Sequence, residues 1–231
     1  IREAANTERY SSNVEVKEKA QTFYPIFLML SLTGMRISEC LALRWDAVAE
    51  DCKSLRVKLV VDTRDSKLSV DEIMYAPKSK AGARVIFLAP ELSQLIQEMK
   101  VGRVSNWLFP SANNPEMPMT YGYVRSRLWR PLQIRHEVLG PDGKPYGLHT
   151  LRHNFGSVLV RAGHIGQLSK MMGHEKAAFS IDRYSHFIED GGDEIRNRLW
   201  LSQEQNERSC GLSGQCGFSY NNPLQWAQKW A

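Results

Sequence analysis

The amino-acid sequence predicts an α+β fold that is mainly helical and carries a small antiparallel sheet of three strands. Segments with apolar residues at helical spacing dominate the chain, and three short β-branched runs lie together between residues 54 and 90. The 231 residues, 42% of them hydrophobic, are enough to bury a core. The formal net charge of +5 fits a polyanionic partner without requiring one.

The first two predicted helices flank a Thr-Gly turn. The apolar pattern predicts a helix over residues 15–32, which Gly34 ends. A second helix is expected over residues 36–48, with Ser38 as its N-cap. The turn between the two helices therefore lies directly before Arg36.

Three strands are expected next, over residues 54–62, 71–77 and 83–90. Each run has alternating or β-branched residues, which are typical of a half-buried strand. The turn KSKAG, residues 78–82, joins the last two runs. Together they predict the small sheet.

The rest of the chain is predicted to be helical. The expected helices cover residues 91–100, 120–134, 149–162, 164–172 and 183–200. Pro131 is expected to kink or end the second of these, whereas Gly163 and Gly173 close the third and fourth. Residues 137–147 are rich in turn formers and predict an inserted loop.

The composition changes after Trp200 and becomes rich in Gly, Ser, Asn and Gln. We therefore expect one domain over residues 1–200 and a C-terminal tail over residues 201–231. The end of the tail, residues 224–231, is apolar enough to dock on another surface, and packing in cis or disorder is equally compatible with it. The longest apolar run, residues 23–35, is too short to span a bilayer, so a cytoplasmic protein without membrane association is expected.

The four cysteines are expected to be reduced thiols, since no pair has the C-x2-C spacing of a structural zinc site.

Several polar residues suit the chemistry of a phosphate group. His149 and Arg152 lie three residues apart on a helix and share a face. Together with Arg36, Arg152 can present forked donors to one phosphate, and the hydroxyl of Tyr184 can attack phosphorus without a metal. Singly, such residues more often lie on surfaces or in cores; their order along the chain favours a site.

Four segments of this chain form an ordered set of motifs: LTGMRISECLALRWDAV, HTLRHNFGSVLVRAG, KMMGH and SIDRYSH. With these motifs the chain resembles the catalytic domain of the tyrosine recombinases, the phage integrase family, from about residue 15 to residue 200. It implies a site-specific DNA recombinase or integrase of a mobile element. Such an enzyme cleaves and rejoins DNA through a 3′-phosphotyrosine intermediate without a metal or other cofactor.

The resemblance implies a role for each matching residue. Arg36 and Arg152 would clamp the scissile phosphate, and His149 would assist proton transfer. His174 would donate a hydrogen bond to the phosphate, and Tyr184 would be the nucleophile.

Further roles follow from the same resemblance. Glu39 would support the site, and Lys80 would be the general acid toward the leaving 5′ oxygen, with Lys78 as the alternative. One helix offers three basic residues for DNA contact, although a solvated surface explains them equally well: Arg125, Arg127 and Arg130.

The resemblance also implies partners and leaves alternatives open. Double-stranded DNA, a homotetramer on that DNA and accessory DNA-bending proteins are the expected partners. The family's N-terminal core-binding domain is expected to be absent from this chain. The spacing of ten residues from His174 to Tyr184 is one more than usual. A type IB topoisomerase-like enzyme and a non-catalytic DNA-binding protein of the same fold are the alternatives.

Overall fold

The computed structural model describes residues 2–62, 69–76 and 82–173. The helices in this part of the chain are α1 (Arg2–Glu8), α2 (Val14–Thr33), α3 (Ile37–Leu41), α4 (Val70–Ile73), α5 (Pro90–Val101), α6 (Tyr121–Tyr123), α7 (Arg130–Arg135), α8 (His149–Arg161) and α9 (Ile165–Met172). The strands are β1 (Ser54–Val57), β2 (Val60–Val61), β3 (Met74–Tyr75) and β4 (Arg84–Phe87). The expected mainly helical fold with a small antiparallel sheet is confirmed.

Helix α2 is the central element, and α1, α3, α5 and α8 all pack against it. Its 20 residues begin at the N-cap Asn13, whose side chain accepts a hydrogen bond from the Val16 amide at 3.2 Å. Its second half is buried almost all round. Gly34 ends the helix in the left-handed conformation, at φ 63°, as the sequence predicted.

The second predicted helix is shorter than expected. Arg36, not Ser38, is its N-cap, and α3 ends at Leu41. After α3 the backbone turns to a distant segment, where Leu108 donates to the Leu43 carbonyl at 2.9 Å. A helix over residues 36–48 would forgo this pairing, so only a 3-10 turn at Trp45–Ala47 remains of its second half.

The predicted three-stranded sheet is divided into two ladders in the described residues. The first expected strand breaks after Val57, so that β1 pairs with β4 and β2 pairs with β3, both antiparallel. The expected strand over residues 71–77 is mostly wrong. Ser69 and Glu72 form a capping box, with the Ser69 amide 2.7 Å from the Glu72 carboxylate, and this starts helix α4. Here the local cap outweighs the alternating pattern.

Pro131 does not end the helical run that was predicted over residues 120–134. The run continues from α6 through a π-helical turn at Val124–Trp129 into α7. In this wide turn the Arg130 amide donates to the Arg125 carbonyl, five residues back. The expected disturbance therefore takes the form of a π turn just before Pro131.

Helices α8 and α9 lie where the sequence predicted them, and Gly163 and Gly173 follow them with positive φ. Helix α8 packs on α2 where Phe155 meets Gly34. A Cβ at Gly34 would lie 2.2 Å from Phe155 Cδ1. The turn before Arg36 and the helix that carries Arg152 are therefore in direct contact.

We predict that Gly34→Ala destabilises the protein by roughly 2–4 kcal/mol, since the new Cβ is disfavoured by the backbone conformation and by the clash with Phe155. Urea denaturation followed by circular dichroism measures this change in the free energy of unfolding. Gly102→Ala is the matched control, because a Cβ there would meet no atom within 4 Å. Equal stability of the two variants would contradict the close approach.

Candidate active site

Arg36 and Glu39 form the first part of the site. The Arg36 amide donates to Glu39 Oε2 at 2.8 Å, and its Nη1 donates to Glu39 Oε1 at 2.9 Å. The Glu39 side chain is 1% exposed, whereas that of Arg36 is 41% exposed. The buried carboxylate therefore fixes a guanidinium group that solvent and a substrate can still reach.

Arg84 is the second cation on Glu39, and the sequence analysis missed it. Its Nη2 lies 2.9 Å from Glu39 Oε2 and its Nη1 lies 3.3 Å from Oε1. Its Nε donates to the Met171 carbonyl at 3.0 Å. One signal was available: Arg84 lies two residues before the buried Ile86 on β4 and so shares its face, and a charge on the inward face of a strand needs a partner.

The charges around Glu39 decide its ionisation. Burial raises the pKa of Glu39, but hydrogen bonding and charge from Arg84, and then from Arg36, outweigh burial and lower this pKa below its ordinary value. Burial and the neighbouring Glu39 charge raise the pKa of the Cys40 thiol. Glu39 is therefore a carboxylate at neutral pH, and Cys40 is a protonated thiol.

Cys40 and Cys52 are buried free thiols, as expected, while Cys210 and Cys216 lie outside the described residues.

Arg152 lies below the surface and joins two segments. Its side chain comes from the first turn of α8, and the residue is 3% exposed. Its Nη1 donates to the Gly34 carbonyl at 2.6 Å and its Nη2 to the Met172 carbonyl at 2.7 Å. Because Gly34 precedes Arg36 by two residues, the two arginines predicted for the clamp are brought to the same turn.

His149 is exposed and begins α8, one helical turn before Arg152. Its ring meets the His153 ring edge to face, with centroids 4.7 Å apart. His149 is therefore accessible to solvent, whereas Arg152, one turn further along the same helix, is buried.

Gln133 anchors the chain just before His149, and the sequence analysis also missed this residue. The Gln133 side chain is fully buried and clamps the backbone of Tyr146 on both sides. It accepts from the Tyr146 amide at 2.8 Å and donates to the Tyr146 carbonyl at 3.2 Å. A glutamine beside the buried Trp129 and Leu132 was a signal, since a buried amide needs partners.

The three arginines predicted to contact DNA lie together on one helical run. Arg125, Arg127 and Arg130 are exposed, whereas Leu128 and Trp129 between them are buried. The run begins at α6, which packs against α3. The exposed arginines are therefore on an element that adjoins the helix that Arg36 caps.

Four of the predicted site residues lie outside the described residues: Lys78, Lys80, His174 and Tyr184. Their roles, and those of the described site residues, stay predictions. Residues 82–173, 69–76 and 2–62 contain no group of three or more His, Cys, Asp and Glu side chains that could hold a metal ion. Within the same ranges no helix is long and apolar enough to cross a membrane.

A model of the phage integrase family matches residues 4–189 of this chain. The ICEBs1 integrase of Bacillus subtilis is 22% identical over 183 residues, which cover 78% of this chain and 48% of that protein. A XerC-like tyrosine recombinase of Caldanaerobacter subterraneus is 23% identical over 191 residues, with coverage of 75% and 48%. The chain thus spans about half the length of these relatives.

Solved structures share the fold. The Tn1549 transposon integrase in complex with a circular intermediate DNA superposes with a TM-score of 0.64 at 21% identity, covering 85% of this chain and 63% of that one. The XerA recombinase gives a TM-score of 0.58 at 17% identity, with coverage of 86% and 61%. At these identities the likeness establishes the fold alone.

We predict that Gln133→Leu destabilises the protein by about 1–3 kcal/mol, because the Tyr146 amide loses its acceptor. Urea denaturation measures the loss, and hydrogen exchange should speed up at the Tyr146 amide. Gln94→Leu is the control, since the Gln94 amide is exposed and donates to the exposed Glu98 side chain at 3.1 Å. Unchanged exchange at Tyr146 would contradict the anchoring role.

Proposed function

The chain belongs to the phage integrase family, and on that premise we propose that it carries the catalytic domain of a tyrosine-type site-specific recombinase. The observation that carries the proposal is that Arg152 donates to the carbonyl of Gly34, two residues before Arg36, whose own guanidinium group is held by the buried Glu39. Two guanidinium groups held at one turn suit a phosphate with two non-bridging oxygens. We take residues 1–200 as this domain and residues 201–231 as its tail.

The reaction we propose exchanges one phosphoester for another. The Tyr184 oxygen forms a bond to a DNA phosphorus, and the bond from phosphorus to the 5′ oxygen breaks. Lys80, or Lys78, donates a proton to that leaving oxygen, while His149 assists removal of the tyrosine proton. A 5′ hydroxyl then attacks the 3′-phosphotyrosine and restores the backbone, so no nucleotide cofactor is consumed.

The described residues favour this reaction through preorganisation. The phosphate gains negative charge as the tyrosine attacks, and donors already aimed at it need little rearrangement. Arg36 is held by two hydrogen bonds to Glu39 while 41% of its side chain is exposed. Loss of one such donor would raise the barrier by about 3 kcal/mol. His149 is exposed and lies one helical turn before Arg152, so we propose that it contacts the same phosphate.

We propose double-stranded DNA as the substrate, since integrases of this fold have been solved with DNA. The exposed Arg125, Arg127 and Arg130 would contact its backbone or groove. Strand exchange would take place in a homotetramer on DNA, with accessory DNA-bending proteins where the site requires them. The protein would act in the cytoplasm, associated with DNA.

The decisive test is covalent linkage to DNA. The wild type, incubated with nicked duplexes that carry candidate sites, should give a protein–DNA band on a denaturing gel, because the nick lets the released 5′ end escape. Tyr184→Phe removes one hydroxyl and should abolish the band. Arg152→Ala is a poorer test, since it also removes the buried bonds to Gly34 and Met172.

The outcomes separate the alternatives. A band that persists in Tyr184→Phe would exclude this tyrosine as the nucleophile. A wild type that binds DNA without any band, also when joined to an N-terminal core-binding domain, would favour the non-catalytic reading. Relaxation of supercoiled DNA without strand exchange would favour the type IB topoisomerase-like reading.

We predict that replacing Arg125, Arg127 and Arg130 with glutamine weakens DNA binding and reduces the slope of log K against log salt by about 3, one for each lost phosphate contact. Fluorescence anisotropy at several salt concentrations measures the slope. The control replaces Lys17, Lys100 and Lys144, exposed residues elsewhere, with glutamine. Equal slopes for the two triple variants would exclude the helical run as the DNA contact.

A further inference from the structure

We propose that Arg84 is a positioning residue that holds two parts of the candidate active site in register. It binds Glu39, and thereby supports Arg36. It also binds the end of α9, which leads along the chain into His174. The catalytic consequence rests on the proposed recombinase function.

The geometry of Arg84 suits two tasks at once. Its Nη1 and Nη2 donate to the two oxygens of the Glu39 carboxylate, while its Nε donates to the Met171 carbonyl at 3.0 Å. The side chain is 8% exposed. Because the guanidinium group is planar and rigid, it fixes the direction of its hydrogen bonds as well as supplying charge. A shift of β4 would therefore move both the Glu39 carboxylate and the Met171 carbonyl.

The Met172 carbonyl, next to that of Met171, supports this positioning role. Arg152 donates to the Met172 carbonyl at 2.7 Å, directly beside the oxygen that Arg84 binds. These are the last two carbonyls of α9, which have no partner within the helix. Two buried arginines therefore hold the helix end from two sides, one from β4 and one from α8.

Removal of Arg84 would leave the Glu39 charge inadequately matched. Among the described residues, the titratable and charged groups found to act on Glu39 or respond to it are Arg36, the N-cap of α3, Cys40 on α3 and Arg84 on β4. With Arg84 gone, burial opposes the carboxylate, and of the two guanidinium groups the half-exposed Arg36 alone remains to favour it. Glu39 would then take up a proton as the pH falls, and Arg36 would lose its anionic partner.

The first measurement needs no DNA. Carbon-13 NMR of labelled glutamate, with the Glu39 signal assigned through Glu39→Gln, follows its titration. In Arg84→Met we expect the pKa of Glu39 to rise by about one unit or more relative to the wild type. We also expect faster hydrogen exchange at Met172 and Gly173. Arg56→Met, which removes an exposed arginine from the adjoining β1, should change neither.

The second measurement is the rate of covalent linkage. Arg84→Met should slow it by about 100-fold, with DNA affinity unchanged within about twofold. The ratio of variant to wild-type rate should fall further as the pH drops from about 8 to about 5, since protonation of Glu39 adds to the defect. Glu39→Gln combined with Arg84→Met should show no such fall, which separates the protonation of Glu39 from that of other groups.

The outcomes are separable. An unchanged Glu39 titration together with unchanged exchange at α9 would overturn the proposal. Arg84→Lys keeps the charge without the fork, and should restore most of the Glu39 titration but not the slow exchange at Gly173. It serves as the test if Arg84→Met fails to fold. A wild type that forms no covalent link, also when joined to an N-terminal core-binding domain, would refute the proposed function, while the NMR titration would still decide the role of Arg84.

Discussion

The buried carboxylate of Glu39 is the constraint on which the arrangement of the site depends. An ionised group that is 1% exposed is stable only with close partners of opposite charge, because water no longer solvates it. Arg36 and Arg84 meet this need from opposite sides, one from the start of α3 and the other from β4. The carboxylate therefore determines where a turn and a strand far apart in sequence come together.

The same arginine extends the network to the end of α9. A helix C-terminus carries partial negative charge and free carbonyls, which cations stabilise. Arg84 and Arg152 supply that stabilisation at Met171 and Met172. Residues that would act on a phosphate and residues that hold the fold are thus connected. At the buried Arg152 the proposed role toward phosphate and the structural role cannot be separated. Arg36 differs, because it pairs with the buried Glu39 and is also exposed to solvent.

Local signals explain what the sequence could predict. The Thr-Gly turn and the family resemblance predicted a role for Arg36, and helical spacing predicted that His149 and Arg152 share a face; these predictions needed no knowledge of distant contacts. Arg84 and Gln133 were missed because their partners lie elsewhere in the chain: Glu39 is 45 residues from Arg84, and Tyr146 is 13 residues from Gln133. The strand expected over residues 71–77 failed for the opposite reason, since a local capping box outweighed its alternation.

The residues of the candidate site differ in their exposure to solvent. Glu39 and Arg152 are almost fully buried, Arg36 is half-exposed and His149 lies at the surface. Gly34 contributes to this arrangement, because its missing Cβ lets Phe155 of α8 approach the turn whose carbonyl accepts from Arg152. An anion that reaches Arg36 and His149 from solvent would meet side chains whose supports are already in place. Little reorganisation would then remain for the moment at which charge builds up on the phosphate.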